Sequence, residues 1–349
     1  MKMAAMKRGF IFPGVHGEPI NVEPGIYQAD KVSFDEYLRW NAISNSSLSA
    51  AIRKASPLVL SMAHYHQQKP ADETPAMRFG TYAHAAKFEF LRCIEEYDVM
   101  PDFTVYREKR SPEADPEMEK LPDGTLIEAP CLNDDGKTVS KVPRATKDYK
   151  GRVSRYQSRP DKIGKRFVTN EELERLAGVL RALDRDQRAM EYFANNGLGT
   201  DRELCIVWDD PVTGLRCKGR LDCVQHAARL IVDLKTSKNV ARFEDAIAWY
   251  GYHRQGAFYS DGMQVLTGEA YRPAIAAVEP DQPHGVRAAP LSFASLTTGR
   301  SQYRQIVDAI AKSVESNKWP AMQSPAEWDI PAWSIPNTLE VIDGTITQF

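Results

Sequence analysis

The sequence lacks the features that would place the protein in a membrane, a secretory compartment or a nucleotide-binding class. Its five cysteines form no C-x-x-C pair, which predicts free thiols and a cytoplasmic location. No apolar run approaches the length of a membrane span, and the first residues lack the sustained apolar core of a signal peptide. Neither G-x-G-x-x-G nor a Walker A sequence is present, which argues against these phosphate-binding loops.

The chain also lacks a strong charge of either sign. Its 349 residues carry a formal net charge of −2, which neither predicts nucleic-acid binding nor excludes a local basic groove. Apolar residues make up 42% of the chain and charged residues 26%, as in ordinary globular proteins. The length fits one large domain or two small ones.

The first half of the chain alternates predicted helices with segments that have no periodic pattern. Residues 1–40 are rich in Gly and Pro and are expected to form an irregular arm, followed by a single domain over residues 41–349. Residues 103–165 are polar and turn-rich, which predicts an insertion carrying a short hairpin. Helices are predicted from ISNSSLSAAI to about Ala55, from Pro57 to about His66, and from about Phe79 to Leu91.

The second half of the chain changes from helical to strand-like periodicity and back. A helix over NEELERLAGVLRALDRDQRAMEYFA is capped by Thr169 or Asn170. An antiparallel meander follows, with strands at about Glu203–Trp208, Leu215–Val224 and Leu230–Leu234. One long helix over FEDAIAWYGYHRQGAFYSDGMQVL, strands in PAIAAVE and PLSFASL, and a helix over SQYRQIVDAIAKSVES complete the order. This order predicts an α/β fold with a mixed sheet.

The stretch RLIVDLKTSK drives two charged residues into the end of a buried strand. Asp233 and Lys235 are two apart, so their side chains point to the same face. The preceding strand, CKGRLDC, carries Asp222 near its end, and a tight turn brings it beside Asp233. Two carboxylates next to an ammonium suit Mg²⁺ and a phosphodiester substrate. The alternative is a strand-end ion pair with Asp222 solvated, and these three residues alone do not distinguish the two.

Several motifs in one order resemble the PD-(D/E)xK nuclease superfamily. GRLD, IVDLKTS and YHRQGAFY, preceded by ISNSSLS and MRFGTYAHAAKFE, are similar to its RecB-like branch and, within it, to exonuclease VIII (RecE-type) nucleases of phages and prophages. The resemblance covers about residues 43–100 and 168–280. It implies a restriction-endonuclease-like core, a central mixed β-sheet flanked by helices.

The resemblance also implies roles for individual residues. Asp222 and Asp233 match the metal-binding acids, Lys235 the catalytic lysine and His84 a further metal ligand. Gln255 and Tyr259 match a Q-x-x-x-Y motif that leans toward the active site, although a helix flank with a core aromatic is the alternative. Glu203 matches an acid on the first strand, and a structural pair with Arg202 or Lys218 is equally consistent with its position.

The function implied is that of a metal-dependent exonuclease. The resemblance implies Mg²⁺, replaceable by Mn²⁺, as the cofactor and double-stranded DNA ends as the substrate, degraded 5′ to 3′. It further implies a ring-like homo-oligomer and a RecT-type single-strand annealing protein as partner. Two alternatives stay open: a RecB-like nuclease of the AddB or CRISPR-associated kind, and a non-catalytic DNA-binding protein on a nuclease fold.

Cationic residues near these motifs are candidate phosphate contacts. Those on the middle strand alternate and share a face, and others flank the motifs; for each one, ordinary surface charge is the favoured interpretation. The candidates are Arg216, Lys218, Arg220, Arg78, Lys238, Arg242 and Arg254.

Overall fold

The computed structural model describes residues 19–53, 74–109, 126–135, 139–194, 199–320, 339–342 and 345–348. The predicted helix from Pro57 to His66 lies outside these ranges. None of the helices within them combines the length and the apolar character needed to cross a membrane.

A six-stranded mixed sheet is the centre of the fold. Its strands, in their order across the sheet, are β1 Gly25–Tyr27, β6 Thr200–Asp209, β7 Arg216–Gln225, β8 Leu230–Thr236, β9 Arg272–Val278 and β10 Val286–Pro290. Neighbouring strands run antiparallel except β8 and β9, which are parallel and joined through two helices. The predicted α/β fold with a central mixed sheet is confirmed.

Helices cover both faces of this sheet. They are α1 Phe34–Arg39, α2 Asn45–Arg53, α3 Pro75–Phe88, α4 Phe90–Glu96, α5 Lys147–Gln157, α6 Asn170–Arg185, α7 Gln187–Phe193, α8 Phe243–Tyr250, α9 Tyr252–Thr267 and α10 Phe293–Ser316. Helices α2, α9 and α10 share one apolar core with β6 and β7, and α3, α6 and α7 share another with β8 and β9. The sheet is therefore buried on both sides where its strands meet.

Three small strand pairs lie outside the central sheet: β2 Tyr97–Val99 with β5 Arg166–Val168, β3 Val105–Lys109 with β4 Leu126–Pro130, and β11 Leu339–Ile342 with β12 Thr345–Gln348. The β3–β4 pair is the hairpin expected within residues 103–165. That segment also contains helix α5, which the sequence pattern did not predict and which Thr146 caps by accepting the Tyr149 N–H.

Two long helices expected from the sequence are each broken in two. The first breaks at Asp186, which ends α6 and caps α7 by accepting the Ala189 N–H. The second breaks at Gly251, which has φ of 72° and ends α8 in the left-handed conformation. The left-handed backbone favours glycine at position 251, and a side chain there would also displace the Arg254 guanidinium, which would lie 2.3 Å from an added Cβ.

Two other predictions about the chain are wrong. The stretch PLSFASL is not a strand, because Ser292 caps a helix by accepting the Ser295 N–H and β10 already ends at Pro290. Residues 1–40 are not irregular throughout, because strand β1 pairs with β6 and helix α1 packs Tyr37 against the sheet.

Candidate active site

The site forms where strands β7 and β8 separate. Their antiparallel ladder includes the Cys223–Val232 pair, and past that pair side chains replace the backbone contacts. The Leu234 N–H donates to Oδ2 of Asp222 at 2.7 Å. Asp222 therefore lies beside strand β8, which carries Asp233 and Lys235. The tight turn predicted between the two strands implied this position.

Helix α3 brings His84 to this point from a position 150 residues away in the chain. Its Nε2 lies 2.8 Å from the Leu234 carbonyl oxygen, and its Nδ1 lies 3.4 Å from Oδ2 of Asp222. A carbonyl only accepts hydrogen bonds, so Nε2 carries a proton. In the neutral imidazole the lone pair is then on Nδ1 and faces the Asp222 carboxylate.

This arrangement of donors fits a divalent cation. A lone pair and a carboxylate oxygen that face each other repel unless a proton or a metal ion lies between them. Metal-binding histidines commonly donate their second ring N–H to a backbone carbonyl, as His84 does to Leu234. Ligand atoms of His84, Glu203 and Asp222 all lie within 4.8 Å of one another. Two carboxylates and an imidazole suit Mg²⁺ or Mn²⁺.

The second acid, Asp233, is held by different partners. Its Oδ2 lies 2.6 Å from the Lys235 ammonium, and its Oδ1 accepts a hydrogen bond of 2.8 Å from Nε2 of Gln255 on α9. Tyr259, one turn further along α9, hydrogen-bonds Gln255. Asp233 is not one of the three residues clustered around His84, so the structure divides the predicted metal ligands into two adjacent groups.

The Tyr259 ring packs against a glycine of strand β7. A Cβ on Gly219 would lie 2.8 Å from the Tyr259 ring, closer than two carbons approach. The close packing of α9 on β7 therefore depends on the missing side chain. Gln255 donates directly to Asp233, and Tyr259 bonds Gln255 from behind, so both are candidate positioning residues.

Glu203 completes the Asp222 group in an unusual backbone conformation. Its φ of 51° is left-handed, which is costly for a residue with a side chain and is found most often at functional sites. Neither Arg202 nor Lys218 pairs with it, contrary to the structural alternative suggested by the sequence. Arg220 does, with Nε 2.6 Å from Oε2 of Glu203, and Arg220 also bonds Glu89 at 3.0 Å.

The protonation states follow from these contacts. Burial opposes charge on His84, but the Asp222 carboxylate outweighs it and raises the pKa of His84 to about 9. Burial, together with the Asp222 charge, raises the pKa of Glu203 to about 7. Burial raises the pKa of Asp233, whereas at Asp222 the neighbouring His84 overcomes burial and lowers the pKa.

Lys235 is a firmly protonated ammonium. Burial disfavours its charge, but Asp233 and then Asp222 reverse this and raise the pKa of Lys235 above its usual value. Its Nζ also lies 4.8 Å from the centre of the Tyr252 ring, a cation–π contact.

Three of the candidate phosphate contacts have structural roles instead. Arg216 pairs with Asp209 at 2.6 Å, and Arg220 pairs with Glu203 and Glu89. Lys218 is buried and donates to the carbonyls of Tyr37, Leu38 and Trp40 at the end of α1. Of the others, Arg78 pairs with Glu172, Arg242 pairs with Asp245, and Arg254 is buried and donates to Ser49.

Sequence reasoning missed the contributions of Leu234, Arg220 and Tyr252 to the site. The Leu234 peptide group has no sequence signature, because any residue supplies the same N–H and C=O. Arg220 precedes Asp222 by two residues in GRLD, and this shared strand face was a signal for an ion pair with an acid of the site. Tyr252 follows the Gly251 break, which the continuous helical pattern concealed.

Comparison with known proteins places this geometry in a family. No curated protein matches the chain. A "putative exonuclease" from Eubacterium rectale is similar at 16% identity and a TM-score of 0.37, over 51% of this chain and 73% of that one. The solved structure called SSO0001 is similar at 14% identity and a TM-score of 0.22, over 39% and 58%. Likenesses this distant carry no argument about function.

The comparison with family models, in contrast, identifies the family of the chain. The model of the PDDEXK-like domain of unknown function (DUF3799) matches residues 54–328, which is more than half of the chain and includes His84, Asp222, Asp233 and Lys235. The protein therefore belongs to this PDDEXK-like family.

Proposed function

We propose that the protein is a metal-dependent nuclease that hydrolyses phosphodiester bonds of DNA. The observation that carries the proposal is the convergence of Asp222, Asp233, Lys235 and His84 at one splayed strand end. This set comes from two adjacent strands and a distant helix. A simple strand-end ion pair between Asp233 and Lys235 does not account for His84 and Glu203 beside Asp222.

The Asp222 group is the proposed metal site. His84 through Nδ1, Asp222 and, as a further candidate, Glu203 would hold a Mg²⁺ or Mn²⁺ ion, with Asp233 as the adjoining acid. Such an ion supplies polarisation of the phosphodiester and a bound water of lowered pKa. The Leu234 peptide orients both the imidazole and the Asp222 carboxylate for this role.

The Lys235 ammonium is proposed to stabilise negative charge on the phosphate in the transition state. Its raised pKa rules against a role as the base that deprotonates water, since it holds its proton at neutral pH. Gln255 and Lys235 together fix both oxygens of Asp233. The carboxylate is thus held in one orientation before a substrate arrives.

The finer specificity is also proposed from the resemblance in the sequence. It comprises exonuclease action on linear double-stranded DNA, 5′ to 3′, and production of single strand for a phage-type annealing partner. A ring-like homo-oligomer would keep the enzyme on its substrate. A cytoplasmic location stays a prediction.

End-labelled linear duplex, nicked circle and closed circle, each incubated with Mg²⁺, test this proposal. The linear duplex should be consumed from its ends while the closed circle survives. Rapid linearisation of the closed circle by the wild type, but not by Asp222→Asn, would make the protein an endonuclease. Absence of cleavage on every substrate, with Mg²⁺ and with Mn²⁺, would leave a DNA-binding protein on a nuclease fold.

A further inference from the structure

A row of aromatic rings leads from the catalytic lysine to the protein surface. The Lys235 ammonium lies over Tyr252, and the Tyr252 ring stacks on Tyr250 with centres 5.6 Å apart and planes inclined by 30°. Tyr252 also stacks on Phe243 at 5.9 Å and 21°. Two steps therefore separate the lysine from an exposed aromatic ring.

Tyr250, at the outer end of this row, and its chain neighbour Trp249 are unusually exposed. Trp249 has 84% of its surface accessible and Tyr250 has 60%, although such large apolar side chains are normally covered. Phe243, in contrast, is buried and anchors helix α8 to the apolar core with Val240 and Ile275. The two exposed rings therefore lie on a helix that is anchored to the apolar core, not on a loop.

The break between α8 and α9 accounts for the position of the rings. Gly251 turns the chain in the left-handed conformation, so Tyr250 and Tyr252 fall on the same side and stack. In one continuous helix, residues two apart point in different directions. The break therefore directs Tyr250, at the end of α8, to the ring that contacts Lys235.

The charge around α8 is compatible with a polyanion. The two acids of its first turn are matched by arginines, Glu244 by Arg287 at 2.6 Å and Asp245 by Arg242 at 2.8 Å. Lys238, in the segment that joins the catalytic strand to α8, is exposed and forms no ion pair among the described residues. The Glu279 carboxylate, which accepts the Val240 N–H, balances this lysine, so no excess negative charge beside α8 opposes a phosphate backbone.

We propose that Trp249 and Tyr250 form a stacking platform for a nucleobase of the strand being cleaved, close to the phosphate bound at Lys235. Stacking on exposed aromatic rings is how proteins hold single-stranded nucleic acid without reading its sequence. The platform would hold an unpaired nucleotide next to the site and so favour a frayed or single-stranded end. The inference rests on the proposed nuclease function.

Binding of single-stranded oligothymidylate in Ca²⁺, followed by fluorescence anisotropy, tests the platform independently of cleavage. Tyr250→Ala and Trp249→Ala should each weaken binding about 5- to 100-fold, as expected for the loss of one stacked base. Tyr250→Phe and Trp249→Phe keep a ring and should bind within about threefold of the wild type. Circular dichroism should show the same fold for all four variants.

Two further probes separate stacking from a general apolar contact. Tyr250→Leu and Trp249→Leu keep apolar surface but no ring face, and they should bind as weakly as the alanine variants. An oligonucleotide with abasic sites should bind the wild type as weakly as oligothymidylate binds the alanine variants, with no further loss in those variants. Leucine variants that bind like the wild type would overturn the proposal and indicate an apolar protein contact.

The outcomes distinguish this proposal from the proposed function. Cleavage by the wild type with unchanged binding by the alanine variants would remove the platform and leave the nuclease. Ring-dependent binding by a wild type that cleaves no DNA would leave the platform and remove the nuclease.

Discussion

The two halves of the site differ in what balances their negative charge. The Asp233 carboxylate has its counter-charge within the protein, in the Lys235 ammonium, and its second oxygen accepts from Gln255. The Asp222 carboxylate accepts the Leu234 N–H and faces the His84 imidazole, which attracts it only when protonated, and Glu203 lies nearby. The Asp233 half therefore has its own cation, whereas in the Asp222 half a proton on His84 or, as proposed, a metal ion supplies the positive charge.

The largest effect should follow from removing the charge of either acid. Asp222→Asn should abolish both divalent-metal affinity and cleavage, and Asp233→Asn should abolish cleavage with a smaller loss of metal affinity. Each should lower the cleavage rate at least about 10³-fold, or about 4 kcal/mol of barrier. Calorimetric metal titration and initial rates measure the two effects.

Equal losses of metal affinity in Asp222→Asn and Asp233→Asn would show that the two halves of the site do not differ in metal binding. A variant that keeps more than about a tenth of the wild-type rate, with normal circular dichroism, would remove that acid from the site altogether.

Removal of the internal counter-charge should have the next largest effect. Lys235→Ala should lower the turnover rate by about 10²- to 10³-fold while DNA binding in Ca²⁺ changes little, because the ammonium acts on charge that develops in the transition state. Lys235→Arg keeps the charge and serves as the control. Parallel losses of binding and turnover would instead make Lys235 a ground-state phosphate contact.

The pH dependence of metal binding should identify His84 as part of the Asp222 half. Its pKa of about 9 means that a proton occupies the imidazole at neutral pH and must leave before Nδ1 binds metal. Mn²⁺ affinity should therefore rise up to about tenfold per pH unit from pH 7 and level off above about pH 9.

A matched pair of variants isolates this effect. His84→Asn should flatten the pH profile of Mn²⁺ affinity, whereas His226→Gln, which alters a histidine bonded to Asp201 and Tyr271, should keep it. An unchanged profile in His84→Asn would remove the imidazole from the metal site.

The smallest effect should come from the support of the Asp233 half. Gly219→Ala pushes a methyl group into the Tyr259 ring, which should destabilise the fold by about 1–3 kcal/mol and lower the cleavage rate about tenfold through Gln255. Gly151→Ala, where a Cβ meets nothing within 4 Å, is the control; because Gly151 lies within helix α5, the alanine should raise stability by up to about 1 kcal/mol and leave the cleavage rate unchanged. Thermal unfolding and initial rates measure both. A rate that stays normal despite lower stability would show that Tyr259 does not position Gln255.

Much of the fold was predictable because its signals are local. Strand-like runs of apolar residues predicted β6, β7 and β8. Thr169 or Asn170 was predicted to cap α6, and Thr169 does so by accepting the Glu172 N–H. The breaks at Asp186 and Gly251 were missed because the helical pattern of apolar residues continues across them. A single turn in the chain changes the direction of a helix without changing its composition.

The site was predictable to the extent that its residues carry motifs. The resemblance in the sequence brought His84 to Asp222 across 138 residues, and the structure places Nδ1 of His84 3.4 Å from Oδ2 of Asp222. The pairing of Arg220 with Glu203 depends on how far two side chains reach across adjacent strands. Patterns of apolar and charged residues do not record that distance, so the two partners suggested for Glu203, Arg202 and Lys218, were wrong.

The Leu234 peptide has a consequence for how this site tolerates change. Its N–H holds Asp222 and its C=O holds His84, while its side chain lies fully buried among apolar neighbours. A substitution at this position therefore affects the two proposed metal ligands only indirectly, through packing, unless it introduces proline and removes the N–H. A scan of all substitutions would classify position 234 as an ordinary core position. Its main-chain N–H and C=O nevertheless orient both proposed ligands.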